Sequence, residues 1–308
     1  MSKSSLPLSA LLIAVTIHTL WGGNVVGGKL ALEAFPPFWS AAIRFMLGVA
    51  TVWLWCRWRS KKLWPKRDEW RSMVVISLFF TTQISLMNMG FDATSGVNGA
   101  ILISTNPLFA AIFAHFMLTS DRQGLVSMTG LAMAFAGVFL TLLVTGNNAA
   151  GQTLTQRLVA LQFGNRGDWL CLASACLLGF RLIASASAMQ RVDSYRLAFW
   201  QMLLSIPLFV LLGLVFEEIR WDRVDAAVIA GVAYQGIVVA GAGFMVTLWL
   251  MTRYRPSLMT SFGFIAPVSG VLLSILFLGE SASIWLVVSL VLVAGGLLLL
   301  TQQRSSEG

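Results

Sequence analysis

Charged side chains make up only 11% of this 308-residue chain, under half of the roughly 25% carried by an ordinary soluble domain. That scarcity excludes a soluble globular protein with a normal surface. Cysteine is nearly absent too. Cys56, Cys171 and Cys176 form no CxxC or metal-ligand spacing and all fall in apolar runs, which excludes a disulfide framework and predicts free, buried thiols. With only two histidines, His18 and His115, there is no His-rich metal cluster. No Walker A sequence is present, which excludes a P-loop ATP site. No carboxylate lies well inside an apolar run, which removes the usual proton relay and the acid–base groups of an intramembrane enzyme. No catalysis, metal or cofactor is expected, and no β pattern competes with the helical one.

What the chain does hold is apolar: 57% hydrophobic residues and a mean hydropathy of +0.79. A membrane span needs roughly 20 apolar residues to cross about 30 Å of hydrocarbon. Windows of that length predict an all-α membrane protein of ten transmembrane helices, near residues 8–31, 36–57, 70–91, 95–118, 125–145, 168–189, 194–216, 226–251, 256–278 and 282–301, numbered here as spans 1 to 10. The breaks fall at Pro36-Pro37, at the charged run Arg57 to Arg71, and at short polar or glycine-bearing segments elsewhere. The first run lacks a basic head beyond Lys3 and a small-residue cleavage site, so it is read as a span and not a signal peptide.

Basic residues set the orientation, because Lys and Arg stay on the cytoplasmic side of short loops. Arg57, Arg59, Lys61, Lys62, Lys66, Arg67 and Arg71 crowd the 2–3 loop. Placing that loop inside makes both termini cytoplasmic and leaves most acids outside, Asp92, Asp168, Glu217 and Glu280 among them. The net charge of +8 then reads as topology, with the lipid bilayer and not nucleic acid as partner. The same basic loop could bind anionic lipid, although topology alone explains it.

The chain also repeats itself at an offset of about 160 residues. Asn106-Pro107-Leu108-Phe109 returns as Ala266-Pro267-Val268-Ser269, and Arg44-Phe45-Met46-Leu47 has a weaker echo in Trp200-Gln201-Met202-Leu203. Five spans per half is an odd number, so the second half is inverted, and inverted five-helix repeats are the architecture of transporters with a midplane site. The division is 1–145 for repeat 1, 146–167 for an extracytoplasmic linker and 168–308 for repeat 2. Pro107 and Pro267 each remove one helical hydrogen bond and should kink spans 4 and 9 at symmetric places. Pro207 in span 7 has no counterpart in span 2.

Leu20-Trp21-Gly22-Gly23-Asn24, Arg44, the Pro107 and Pro267 helices, and Phe277-Leu278-Gly279-Glu280 before a glycine-bearing last span resemble the drug/metabolite transporter superfamily in its EamA-type ten-helix form, over essentially the whole chain. The first half departs from the pattern, with Thr119-Ser120 where the second has Gly279-Glu280. The proportions and tryptophan-rich spans are most similar to the bacterial amino-acid and metabolite exporters of the YddG kind. The resemblance implies a multi-pass protein of the bacterial inner membrane.

Polar groups inside a span cost free energy and usually face a wet interior. Arg181, half way along span 6, aligns with Asn24 in span 1; it could take a substrate carboxylate bidentately or make a structural contact. Arg44 lies nearer the outer end and reads as structural. His18, Trp21 and Asn24 follow one another at helical spacing on one face. Gln83, Met87 and Asn88 recur on span 3, and Tyr234 and Gln235 precede the glycines of span 8; such amides could equally glue helices together. Of the 12 tryptophans, Trp53, Trp55, Trp58, Trp64 and Trp70 suit an interfacial belt, while Trp21, Trp200 and Trp249 are the candidates for substrate contact, with plain packing as the alternative. The glycines at 22, 23, 27 and 28 serve close packing or bending. The substrate-site set is His18, Trp21, Asn24, Gln83, Arg181, Tyr234, Gln235 and Trp249.

The expected function is an inner-membrane exporter or uniporter of small metabolites, foremost aromatic and other neutral amino acids, acting as a monomer by alternating access without ion coupling. A cationic drug, nucleoside or phosphorylated metabolite is the alternative substrate on the same fold, with a histidine as the proton carrier. A receptor, structural partner or enzyme would bind without flux. Asp121 and Glu280 are expected to take no coupling role.

Overall fold

The structure, a computed structural model, describes residues 7–117, 125–145, 164–254 and 261–306. Every regular element among them is helical. Seven helices are long and apolar enough to cross a membrane, and three further apolar helices are shorter, Met128–Val144, Phe262–Leu278 and Ile284–Leu299.

Span 1 is two helices, α1 (Leu8–Gly22) and α2 (Asn24–Leu32), interrupted at Gly23. Pro36 and Pro37 set the start of α3 (Pro37–Trp58), since a proline at the first helical position loses no hydrogen bond. That helix ends in a Schellman motif: Ser60 takes φ 54°, its N–H donates to Arg57 O, and Lys61 N–H donates to Cys56 O at 2.8 Å. Span 3 is α4 (Trp70–Ala93). Span 4 is divided into α5 (Gly96–Ile103), capped by the Ser95 hydroxyl, and α6 (Asn106–Met117). Span 5 is α7 (Leu125–Thr145).

In the second half, α8 (Arg166–Ala188) starts two residues ahead of the expected boundary, because Asn165 and Asp168 form a capping box. The last turn before it is anchored by Gly164 N–H to Leu142 O; residues 146–163 of the linker lie outside the described residues. Span 7, α9 (Ser194–Phe216), runs unbroken through Pro207. Span 8 passes from α10 (Ala226–Ala233) through a ten-residue π-helical stretch, Tyr234–Gly243, into α11 (Phe244–Arg253). The described part of span 9 runs from a 3-10 turn at Ser261–Phe264 into α12 (Ile265–Leu278), closed by Gly279 at φ 65°. The last helix is α13 (Ile284–Ser306).

The two prolines act differently from the expected kinks. Span 4 breaks at Ser104-Thr105 and span 9 passes from a 3-10 turn into α12 at Ile265, so Pro107 and Pro267 each stand in the first turn of an α-helix. That is where a missing N–H costs nothing.

Packing crosses between halves in a paired way. Span 1 lies on spans 8 and 9, and span 6 lies on spans 3 and 4; span 2 lies on 7 and 8, and span 7 on 2 and 3; span 5 lies on span 10. Exchanging each span with its counterpart five further on leaves this set unchanged. Glycines permit the closest crossings. A Cβ at Gly22 would fall 2.6 Å from Ala266 O on span 9, and one at Gly179 would fall 2.6 Å from Ala110 N and 2.8 Å from Asn106 O on span 4. These two crossings involve the two proline helices at related places.

Candidate functional site

The interruption of span 1 at Gly23 faces the π-helical stretch of span 8, and polar side chains from both meet there. The Tyr234 hydroxyl donates to Leu20 O at 2.5 Å, which ties span 8 to the last turn of α1. Gln235 donates through Nε2 to Asn24 O at 3.1 Å and to Asn24 Oδ1 at 3.2 Å. Asn24 in turn directs Nδ2 at Met87 Sδ, 4.0 Å away on span 3. Leu20 O lies in the last turn of α1, where carbonyls can lack an intrahelical partner and accept a side-chain donor. A π-helix widens the turn and is found mostly at functional positions. Gly23 and Gly27 leave room for the Tyr234 ring, since a Cβ at Gly23 would meet its hydroxyl at 2.5 Å.

One turn toward the N-terminus stands an aromatic group. The His18 ring centroid is 5.5 Å from Trp21 and 6.2 Å from Phe262, and Trp21 is 6.1 Å from Phe244. His18 Nδ1 lies 2.8 Å from Ala14 O; a carbonyl only accepts, so Nδ1 carries the proton and Nε2 is the acceptor of the neutral ring. Trp21 Nε1 and Gln235 Oε1 are buried without a hydrogen-bond partner among the described residues. Buried polar atoms are normally satisfied, so these two mark a place where a ligand's polar groups would be favoured.

Arg181 is a separate centre. It is 5% exposed, donates through Nη1 to Gln201 Oε1 at 3.0 Å, and lies 4.9 Å from the Phe80 ring centroid. Its Nε has no partner among the described residues. Phe80 packs at 4.8 Å on Phe45, whose ring also carries the buried Arg44 at 5.1 Å. Two guanidiniums from opposite halves thus flank one aromatic pair.

The remaining candidates fall elsewhere. Gln83 exchanges hydrogen bonds with Ser174: its Nε2 donates to Ser174 Oγ, which donates to Gln83 O. That is interhelical bonding between spans 3 and 6. Asn88 holds Pro37 O at 2.8 Å. Trp249 stacks with Arg253 and lines an outward groove. Trp200 donates to Leu63 O at 2.7 Å and packs on Trp64 and Trp70, so it fastens the 2–3 loop beside the Glu69–Arg196 ion pair. The side chain of His115 and all of Asp121 lie outside the described residues. Among the described residues no three His, Cys, Asp or Glu are placed to hold a metal ion, and the three cysteines are free, with Cys176 half-buried.

Sequence reading passed over Phe244, Phe262, Phe80 and Gln201. Only Gln201 carried a signal, through the echo of the Arg44 segment. It also passed over the polar ties at the opposite end of the spans. Lys29 reaches Phe91 O and Thr94 O, the latter at 2.5 Å, and Thr94 and Asn98 both bond Asp168. Glu280 accepts from Gly96 N–H at 2.6 Å and Val97 N–H at 2.8 Å. Glu217 accepts from Phe38 and Trp39 N–H. Each of these two carboxylates follows a span of the second half and caps the start of a helix in the first.

The sequence matches the EamA-like transporter family over residues 8–143 and again over 165–302. It is 19% identical to an uncharacterised transporter, YoaV, of Bacillus subtilis, covering 96% of this chain and 97% of that one. It is 23% identical to an uncharacterised inner membrane transporter, YedA, of Escherichia coli, covering 95% and 90%. A crystal structure of a protein 22% identical superposes with a TM-score of 0.69 over 97% of this chain and 99% of the other, a likeness of fold. Matched in both halves and across nearly its full length, this chain belongs to the EamA-like transporter family.

Proposed function

We propose that this transporter carries small zwitterionic metabolites, aromatic and other neutral amino acids foremost, across the bacterial inner membrane by alternating access without an ion gradient. The observation that carries the reading is the polar and aromatic cluster at the break of span 1: His18, Trp21, Asn24, Tyr234 and Gln235 converge from two halves, and two of their buried polar atoms have no hydrogen-bond partner among the described residues. The aromatic group accommodates the substrate's side chain, and Arg181, at its separate centre, is the positive charge that its carboxylate would meet along the route. Ten spans with both termini cytoplasmic and the 1–145, 146–167 and 168–308 division are part of the proposal; the exchange-symmetric packing supports two related halves, and five spans in each would make them inverted. The branch of YddG-like exporters and a monomeric state belong to the same proposal.

The aromatic group of His18, Trp21, Phe244 and Phe262 favours a second reading, an organic cation held by cation–π contact with His18 as the titrating group. Uptake of labelled phenylalanine into proteoliposomes separates the two. Trp21→Ala and Asn24→Ala are expected to slow it about tenfold, the loss of one good buried contact, while remaining monodisperse. Unchanged phenylalanine uptake with lost uptake of a lipophilic cation would favour the second reading.

A further inference from the structure

A groove of about 460 Å³ opens on the outer surface where the N-terminal part of α1 meets the C-terminal ends of α3 and α11. Its floor is aliphatic, with Leu12 and Ile13 from α1 and Val246 from α11, and its walls are the indoles of Trp55, Trp58 and Trp249. Arg59 stands at its mouth with its guanidinium 4.6 Å over Trp58 and 5.6 Å over Trp55. Arg253 lies 4.5 Å over Trp249, one of the lining indoles. No acidic residue lines the groove.

We propose that this groove is a binding site for one anionic phospholipid of the cytoplasmic leaflet. The apolar floor offers an acyl chain a fixed slot of the size of a small-ligand pocket. Indoles suit the boundary between hydrocarbon and headgroup. A guanidinium stacked on an indole face is held in orientation while the N–H groups along its edge remain directed outward, the geometry that receives phosphate oxygens. Two such arginines, from spans 2 and 8, each lie over an indole that lines the groove. The positive rim without a countering carboxylate selects an anionic headgroup over a zwitterionic one. The Schellman turn at Ser60 fixes where Arg59 leaves the helix, so the site is built and not merely a cluster of charge. Bound there, a lipid would brace span 1 against spans 2 and 8 beside the break.

The test is native mass spectrometry of purified, delipidated protein titrated with phosphatidylglycerol or phosphatidylcholine in mixed micelles. Wild type is expected to hold one phosphatidylglycerol in preference to phosphatidylcholine. The exposed-residue double variant Arg59→Ala with Arg253→Ala is expected to weaken phosphatidylglycerol binding by roughly tenfold or more, whereas Arg71→Ala, an exposed arginine away from the groove, leaves it intact. Equal binding of the two lipids, an equal loss in Arg71→Ala, or occupation of the face by a second copy of the chain would overturn the proposal.

Discussion

Arg181 is buried beside an amide and a phenyl ring, with no carboxylate among its described contacts. A charge at such depth costs roughly 2.5–3.5 kcal/mol on insertion scales, and neither Gln201 nor Phe80 neutralises it. A substrate carboxylate would. Arg181→Ala is therefore predicted to insert normally and to lose uptake of carboxylate-bearing substrates by at least about tenfold, measured as initial rates in proteoliposomes; wild-type uptake would remove the role assigned to it. How much of the site was legible varies residue by residue. The His18–Trp21–Asn24 stripe could be read from helical spacing, because those residues share one element. Gln83 and Trp200 could not be told from site residues, because their partners, Ser174 and Leu63, are brought to them only by tertiary packing. Phe244 and Phe262 gave no signal, since a phenylalanine in an apolar run looks the same whether it meets lipid or His18.

At the level of elements, hydropathy located the seven helices long and apolar enough to cross a membrane and the three shorter apolar ones, because each supplies a sustained apolar run. It did not locate the irregularities. The π-helical stretch Tyr234–Gly243 has no period of its own in the sequence, and the prolines of spans 4 and 9 announced a discontinuity while leaving its form, a break before the proline, to packing against spans 6 and 1. The span 1 and span 9 crossing depends on Gly22. A side chain there would run into Ser269 and the Ala266 carbonyl, backbone that does not yield, so Gly22→Val is predicted to destabilise by about 1–3 kcal/mol. Gly263, with nothing near its Cβ direction, is the control, and Gly263→Ala is expected to melt close to wild type in a thermal scan.

The cross-half caps also make a pH prediction. Burial raises the Glu217 carboxyl above its ordinary range and the charge of Asp92 adds to this, against the lowering effect of the Phe38 and Trp39 N–H groups. The folded state therefore holds the proton more tightly than the unfolded chain. Ionised Glu217 costs stability above the raised pKa, and the cost is relieved as pH falls through that value toward the ordinary carboxylate one. Glu217→Gln keeps an acceptor oxygen and removes the charge. Its melting temperature relative to wild type is predicted to be highest near neutral pH and to lose that advantage toward about pH 4; an advantage that grows on acidification would contradict the assignment.

Across the whole molecule, the packing partnerships map onto themselves when the halves are exchanged, and the weak internal echoes in the sequence mark the same relation. Symmetry of this kind lets two arrangements of similar energy exist, one open to each side, with the broken spans near the middle. The caps by Glu280 and Glu217 and the tethers of Lys29 and Asp168 gather at one end of the spans, so in the conformation described that end is fastened. In the proposed uncoupled mechanism a solute gradient alone drives the exchange. Counterflow in sealed proteoliposomes loaded with mixed amino acids, assayed with labelled phenylalanine, threonine and a cationic drug and no ion gradient, tests this most directly. Exchange of the amino acids alone is the predicted result; exchange of the drug alone, or none until a proton gradient is imposed, would contradict it.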